Sequence, residues 1–151
     1  MIHAYDKNYL SKAQNNLASM FDFAVYDLEE DLSEFYQKFF KSRISALFET
    51  GDSTVIVGKS GVELTLEIIG DETLASKYRP VADRTPEYWC GWALVYFQWY
   101  SGLTFKEIDN YIPISEISAN SLCDNPAFSR KFFRFVLIFR LLYSSIILSQ
   151  N

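Results

Sequence analysis

The chain contains few of the residues on which common catalytic and metal sites depend. His3 is the only histidine among 151 residues, which argues against histidine-based triads and HExxH zinc sites. Of the two cysteines, Cys90 lies in an apolar run and is predicted to be a small buried hydrophobe. The sequence Gly58-Lys59-Ser60-Gly61 lacks the upstream glycine of a phosphate-binding loop. We therefore expect a non-enzymatic protein that uses neither a cofactor nor a metal.

Features of targeting and of nucleic-acid binding are also missing. Residues 1–6 have neither the basic nor the apolar region of a signal peptide, and the cysteines form no CxxC pair, so we expect a reduced, cytoplasmic protein. Residues 1–124 carry 10 Lys and Arg against all 19 Asp and Glu, a net charge of −9, whereas residues 125–151 carry four basic residues and no acid. Since binding to a phosphate backbone needs a positive field, the acidic part argues against a nucleic-acid partner.

Apolar and aromatic residues, in contrast, are abundant. They make up 49% and 17% of the chain, which is enough for one domain whose core needs no disulfides. The hydrophobic periodicity predicts an all-α fold, a compact bundle of about six helices in a domain spanning residues 1–124. Residues 125–151 are predicted to form an apolar, basic helix packed on the same domain. The aromatic surplus indicates a deep core or a face kept for a partner.

The boundaries of the predicted helices follow from periodicity and capping residues. The pattern predicts helices over about 8–29, 32–48 and 61–69, with the first two packed as an antiparallel hairpin. Capping boxes predict the start of the third helix and of a short helix after Thr104. Residues 54–57 are all β-branched, and both a short strand and a turn or short helix stay open for them.

The strongest local signal is Thr85-Pro86-Glu87, in which threonine caps a helix, proline suits its first turn and glutamate complements its positive end. The helix over 86–101 is apolar on every side and is predicted to be the central, buried helix of the bundle. Its aromatic side chains suit a packed core. The alternative is a small-ligand binder or enzyme that uses this helix, with Gln98 as the polar group of its pocket.

Two groups of residues are the predicted partner-binding residues. Five acids lie near the junction of the first two predicted helices, where they favour either a docking patch for a basic partner or a solvated helix start. Four aromatic residues lie along the helix over 86–101 and favour contact with another protein. The groups are Asp27, Glu29, Glu30, Asp31 and Glu34, and Trp89, Trp92, Tyr96 and Trp99.

The C-terminal run leaves two interpretations open. Residues 132–148 are apolar except for Arg134, Arg140 and two serines. Each arginine near the centre of a membrane span costs about 2.5–3.5 kcal/mol, which favours a packed or self-associating helix over a membrane anchor. Membrane contact through residues 132–148 and homo-oligomerisation are therefore kept as alternatives to binding of another protein.

Six segments together point to a known kind of protein: His3 to Asp6, Tyr9-Leu10, Ala13 to Asp22, Gly58 to Leu64, Pro86 to Leu103 and Ile112 to Ile117. They resemble a set of small bacterial helical proteins found in cassettes like toxin–antitoxin loci, beside a gene for an ADP-ribosyltransferase-like partner. The resemblance covers about residues 1–117 and implies an antitoxin-like binding or neutralising role, with no catalytic residues to carry over. After about Ala119 the composition departs from the charged, polar helix of that family, as a shifted reading frame or a swapped terminus would explain.

Overall fold

A computed structural model describes residues 3–80 and 82–119, and this part of the chain is helical and contains no strand. The predicted all-α class is confirmed, although these residues form eight α-helices where about six were predicted for the whole domain. The helices are α1 Lys7–Asp22, α2 Leu32–Lys41, α3 Arg43–Glu49, α4 Ser53–Ile56, α5 Gly61–Ile69, α6 Pro86–Ser101, α7 Phe105–Tyr111 and α8 Ile114–Ala119. A π-helical turn, Phe23–Asp27, continues α1, and a 3₁₀ helix, Glu72–Lys77, precedes α6.

Side-chain caps explain where several helices begin and end. Ser60 and Thr104 each form the predicted capping box with the glutamate three residues on. Thr85 caps α6 by accepting a hydrogen bond from the backbone of Tyr88. Gly70 and Gly102 end α5 and α6 with φ of 80° and 71°, in the left-handed region that favours glycine. The predicted bounds of α5 and α6 are thus confirmed.

The prediction of a single helix over 32–48 is wrong, because the helix is interrupted at Ser42. This residue adopts an extended conformation, with φ −82° and ψ 160°. Its hydroxyl donates to the carbonyl of Phe39 at 2.6 Å, and the hydroxyl of Ser45 donates to the carbonyl of Ser42 at 3.0 Å. Serine side chains that bond to nearby backbone groups compete with the helical ladder. The break, together with the formation of α4 by residues 53–56, explains why the predicted number of helices was too low.

The pair α1 and α6 forms the centre of the described fold. An added Cβ on Gly91 of α6 would lie 2.7 Å from the carbonyl oxygen of Leu17 and 2.8 Å from the Cα of Ala18, so the two backbones approach in a way that only glycine permits. The predicted central position of α6 is confirmed. The predicted hairpin of the first two helices is replaced by this pairing, in which α1 packs chiefly on α6 and next on α5.

An aromatic cluster fills the core beside this helix pair. Its rings meet mostly edge to face at centroid distances of 4.9–6.2 Å, the geometry that aromatic quadrupoles favour. Six members are fully buried: Phe21, Phe35, Tyr36, Phe39, Phe48 and Phe105. The cluster joins α1, α2, α3 and α7 into one core.

A buried polar residue, Asn16, ties α4 to α1. Its side-chain nitrogen lies 3.0–3.1 Å from the carbonyl oxygens of Val55, Ile56 and Lys59, to which it donates. The side chain is 5% exposed. The carbonyls of Val55 and Ile56, at the end of the four-residue helix, and that of Lys59, just beyond it, thereby share a donor that the helix itself cannot supply.

Residues 120–151 lie outside the described part of the chain, so the prediction of a packed helix over 125–151 and that of a membrane anchor over 132–148 are not addressed by the coordinates. Among the helices that are described, none is long and apolar enough to cross a membrane.

Candidate functional site

Three carboxylates lie together beside the start of α6. Two of them come from the end of α1 and the π-helical turn that follows it, and the third comes from α6 itself. Asp22 ends α1, Asp27 ends the π-helical turn, and Glu87 lies in the first turn of α6. The hydroxyl of Thr85 donates to Oδ1 of Asp22 at 2.6 Å, and the hydroxyl of Tyr26 donates to Oε2 of Glu87 at 2.7 Å. We call Asp22, Asp27 and Glu87 the acidic patch.

The π-helical turn positions Tyr26 and Asp27 in this region. Its wider ladder is seen in the backbone hydrogen bond from Leu28 N–H to the carbonyl of Phe23 at 3.1 Å. Turns of this kind are rare in proteins overall, but those that occur are often found at functional sites. Glu29 then adopts φ 59°, a left-handed conformation that costs free energy in a residue with a side chain. The chain thus departs twice from regular helix at the edge of the acidic patch.

In the described part of the chain, residues 3–80 and 82–119, the carboxylates of the acidic patch form no ion pair with a lysine or arginine. Burial raises the pKa of Asp22 above its ordinary value, and the charges of Asp27 and Glu87 raise it further, while the hydrogen bond from Thr85 offsets only part of this effect. An incoming cation would relieve this repulsion.

Two exposed tyrosines flank the patch. Tyr26 is 50% exposed and Tyr78 is 49% exposed. The Tyr78 ring rests edge-on against Phe23 at a centroid distance of 5.9 Å, and the next backbone N–H, of Arg79, donates to Oδ2 of Asp27 at 3.3 Å. Partial burial and the hydrogen bond to Glu87 raise the pKa of Tyr26 to about 12. Amphipathic rings beside carboxylates are a composition typical of protein-binding surfaces.

The five acids predicted as partner-binding residues are placed in different environments. Asp27 joins the acidic patch. Glu30 pairs with Lys38 at 2.6 Å, and Asp31 caps α2 by accepting a hydrogen bond from the backbone of Glu34 at 3.0 Å. Glu29 and Glu34 are exposed beside this junction. Local structure therefore accounts for Glu30 and Asp31.

The four aromatic residues predicted for partner binding share α6 but differ in burial. Trp89, Trp92 and Tyr96 are half-buried along one side of the helix, with the two tryptophan rings 6.0 Å apart. Trp99 is only 5% exposed, because residues 3–5 lie over it. The structure therefore does not present these four side chains as one surface.

Gln98, the polar group of the alternative ligand-binding hypothesis, is 1% exposed. Its amide nitrogen donates to the carbonyl of Leu103 at 3.2 Å, so the side chain closes the end of α6. A groove of about 770 Å³ lies elsewhere, between α5 and the 3₁₀ helix, where Lys59 pairs with Glu67. In the described ranges no three residues of the types His, Cys, Asp and Glu are arranged to hold a metal ion.

Sequence reasoning missed most of the acidic patch. Asp22 belongs to the polar residues of α1, and Glu87 complements the positive end of α6, so each acid has a local explanation in the sequence. Both interpretations were locally sound, since Glu87 does lie in the first turn of α6. No local signal was available, because the residue that donates to each carboxylate lies far away in the sequence: Thr85 is 63 positions from Asp22, and Tyr26 is 61 positions from Glu87.

Comparison with protein-family models, with curated proteins and with solved structures finds no match for this chain. Function is therefore argued from the geometry of the acidic patch.

The pKa of Asp22 predicts how stability depends on pH. Because its native pKa lies above the ordinary 3.8, the folded state holds the proton more readily than the unfolded chain, and the carboxylate lowers stability at neutral pH. We expect Asp22→Asn, which keeps an acceptor for Thr85, to raise the melting temperature at pH 7. The gain in melting temperature should shrink as the pH falls towards 3.8, because Asp22 of the unmodified chain then becomes protonated.

Thermal unfolding of both chains between pH 7 and pH 4 would check this expectation. The control is Glu72→Gln, which removes the same charge from an exposed position outside the acidic patch. A variant that is less stable than the unmodified chain at pH 7, by an amount that shrinks as the pH falls, would show that the Asp22 charge is favourable, and a difference that does not change with pH would show that the charge has no effect; either result contradicts the expectation.

Proposed function

We propose that this chain is a non-enzymatic protein-binding module whose acidic patch binds a basic segment of a partner protein. The observation that supports the proposal is the convergence of Asp22, Asp27 and Glu87 without an ion pair to a lysine or arginine of the described part of the chain. Removing charge from water is costly unless it is paired, and the raised pKa of Asp22 reflects that cost.

The surroundings of the patch favour arginine or lysine as the contacting group. A guanidinium forms paired hydrogen bonds with a carboxylate and stacks on aromatic rings. Carboxylates and the exposed rings of Tyr26 and Tyr78 occur together here. An arginine of the partner would therefore find both types of contact within one small surface, with its charge attracted by all three acids.

An antitoxin-like role is the specific form of this proposal. It is supported by the resemblance of residues 1–117 to proteins of toxin–antitoxin-like cassettes and not by the geometry. A neutralising protein needs only to occupy the surface of its target, which is consistent with a binding patch and requires no catalytic residues of its own.

Affinity purification from the native host tests the proposal. We expect a basic protein to be recovered in a stoichiometric amount at low salt and to be released as salt is raised from about 0.1 M to 1 M, because screening shortens the reach of exposed charges from about 10 Å to about 3 Å. Recovery of the chain alone, or of a partner that salt does not release, would contradict binding through the acidic patch.

A further inference from the structure

Residues 3–5 lie across the C-terminal end of α6 and cover Trp99. The ring of His3 stacks on the Trp99 indole, with centroids 3.8 Å apart and planes 19° apart. The indole N–H of Trp99 donates to the carbonyl of Tyr5 at 2.7 Å, and the backbone N–H of Ala4 donates to the carbonyl of Trp99 at 3.0 Å. We call residues 3–5 the N-terminal strap.

Gly51 packs against Tyr5 of the strap, and we call Gly51 the seat of the strap. It adopts φ 73°, and an added Cβ would lie 2.4 Å from Cβ of Tyr5 and 2.6 Å from its Cγ. The side chain of Tyr5 thus fills the space that any other residue at position 51 would need. The strap is held by this contact and by the contacts to Trp99, all made by three consecutive residues.

Two buried polar atoms of the strap, Nδ1 of His3 and the hydroxyl oxygen of Tyr5, have no hydrogen-bond partner among the described residues. Burial also raises the pKa of the Tyr5 hydroxyl. A buried polar atom without a partner costs free energy that is recovered when water reaches it. The closed strap therefore carries a cost that its open form lacks.

We infer that the N-terminal strap is a local gate over Trp99, which opens and closes while the α1–α6 core stays folded. Few contacts hold it, and the two unpartnered atoms lower the free energy needed to open it. Opening exposes the aromatic face of the Trp99 ring. The inference concerns the chain alone and does not depend on the acidic patch.

Hydrogen exchange followed by NMR tests this gate. The Trp99 indole N–H and the Ala4 amide report on the strap, and the amide of Leu94, in the buried middle of α6, reports on the core. We expect the two strap protons to exchange at least about 100-fold faster than the core amide, with rates that low concentrations of urea leave unchanged. Equal rates with equal urea dependence would mean that the strap opens only by global unfolding and would overturn the inference.

Two glycine substitutions separate the seat from general backbone strain. Gly51→Ala and Gly70→Ala both place a side chain at positive φ, 73° and 80°, but an added Cβ on Gly70 has nothing within 4 Å. We expect Gly51→Ala to speed exchange of the two strap protons at least tenfold relative to Leu94, and Gly70→Ala to leave that ratio unchanged. The same change of ratio in both variants would overturn the role of the seat.

A third variant tests the unpartnered hydroxyl and avoids strain. Tyr5→Phe removes it and is expected to slow exchange of the strap protons by about tenfold, since the closed state loses one unpaired polar atom. Tyr9→Phe, at a partly exposed ring on α1, is the control and should have no effect. Faster or unchanged exchange in Tyr5→Phe would contradict the proposed cost of the closed strap.

Discussion

Replacing Gly91 by alanine is expected to lower the free energy of unfolding by about 2 kcal/mol or more. Alanine is the better helix former by about 1 kcal/mol, so helix propensity alone predicts stabilisation. The added Cβ, however, would lie 2.7–2.9 Å from backbone atoms of Leu17 and Ala18. Backbone of a packed helix cannot turn aside as a flexible side chain can, so α1 and α6 must separate along their main contact.

Urea unfolding of the Gly91→Ala variant measures this effect. Gly102→Ala is the control: it lies at the end of the same helix with open space around its Cβ, but at φ 71°, and should lose about 1 kcal/mol through conformational strain alone. A Gly91→Ala chain that is as stable as the unmodified chain, or more stable, would mean that the two helices do not meet at this position.

Replacing Asn16 by alanine is expected to cost about 2–3 kcal/mol. The substitution removes the donor shared by the carbonyls of Val55, Ile56 and Lys59 and leaves them buried without it. Since α4 has only four residues, it depends on this contact more than a longer helix would. We expect the backbone amides around α4 to lose their protection from hydrogen exchange before those of the rest of the fold.

The comparison for this loss is Asn15→Ala. Asn15 is exposed, and its side chain accepts one hydrogen bond, from the hydroxyl of Tyr88 at 3.2 Å. Surface changes of this kind usually alter stability by less than about 0.5 kcal/mol. Equal losses in the two variants, measured by urea unfolding, would indicate that the buried contact of Asn16 contributes little.

Local signals in the sequence predicted much of the fold. The threonine–proline start of α6, the capping boxes of α5 and α7 and the glycines that end α5 and α6 act within a few residues of each other, so their pattern is visible along the chain. The all-α class followed from periodicity for the same reason. These features need no knowledge of which helix packs on which.

Features that depend on contacts between distant residues were not predicted. The pairing of α1 with α6 rests on Gly91 facing Leu17 and Ala18, and a glycine within a helix does not say which helix approaches it. Nothing in the sequence indicates that Asn16 contacts α4, because an amide that caps a remote helix looks polar and exposed in sequence. The acidic patch was missed for the same reason, since Glu87 lies 60 positions from Asp27 and 65 positions from Asp22 in the sequence.

The affinity of a recovered partner for three chains tests the central claim most directly. Calorimetric titration would compare the unmodified chain with Asp27→Asn/Glu87→Gln and with Glu67→Gln/Glu72→Gln, which removes two charges near the groove between α5 and the 3₁₀ helix. Binding through the acidic patch predicts that the first variant raises Kd by about 10- to 100-fold, whereas the second stays within about twofold. Equal changes in Kd for the two variants would contradict the assignment.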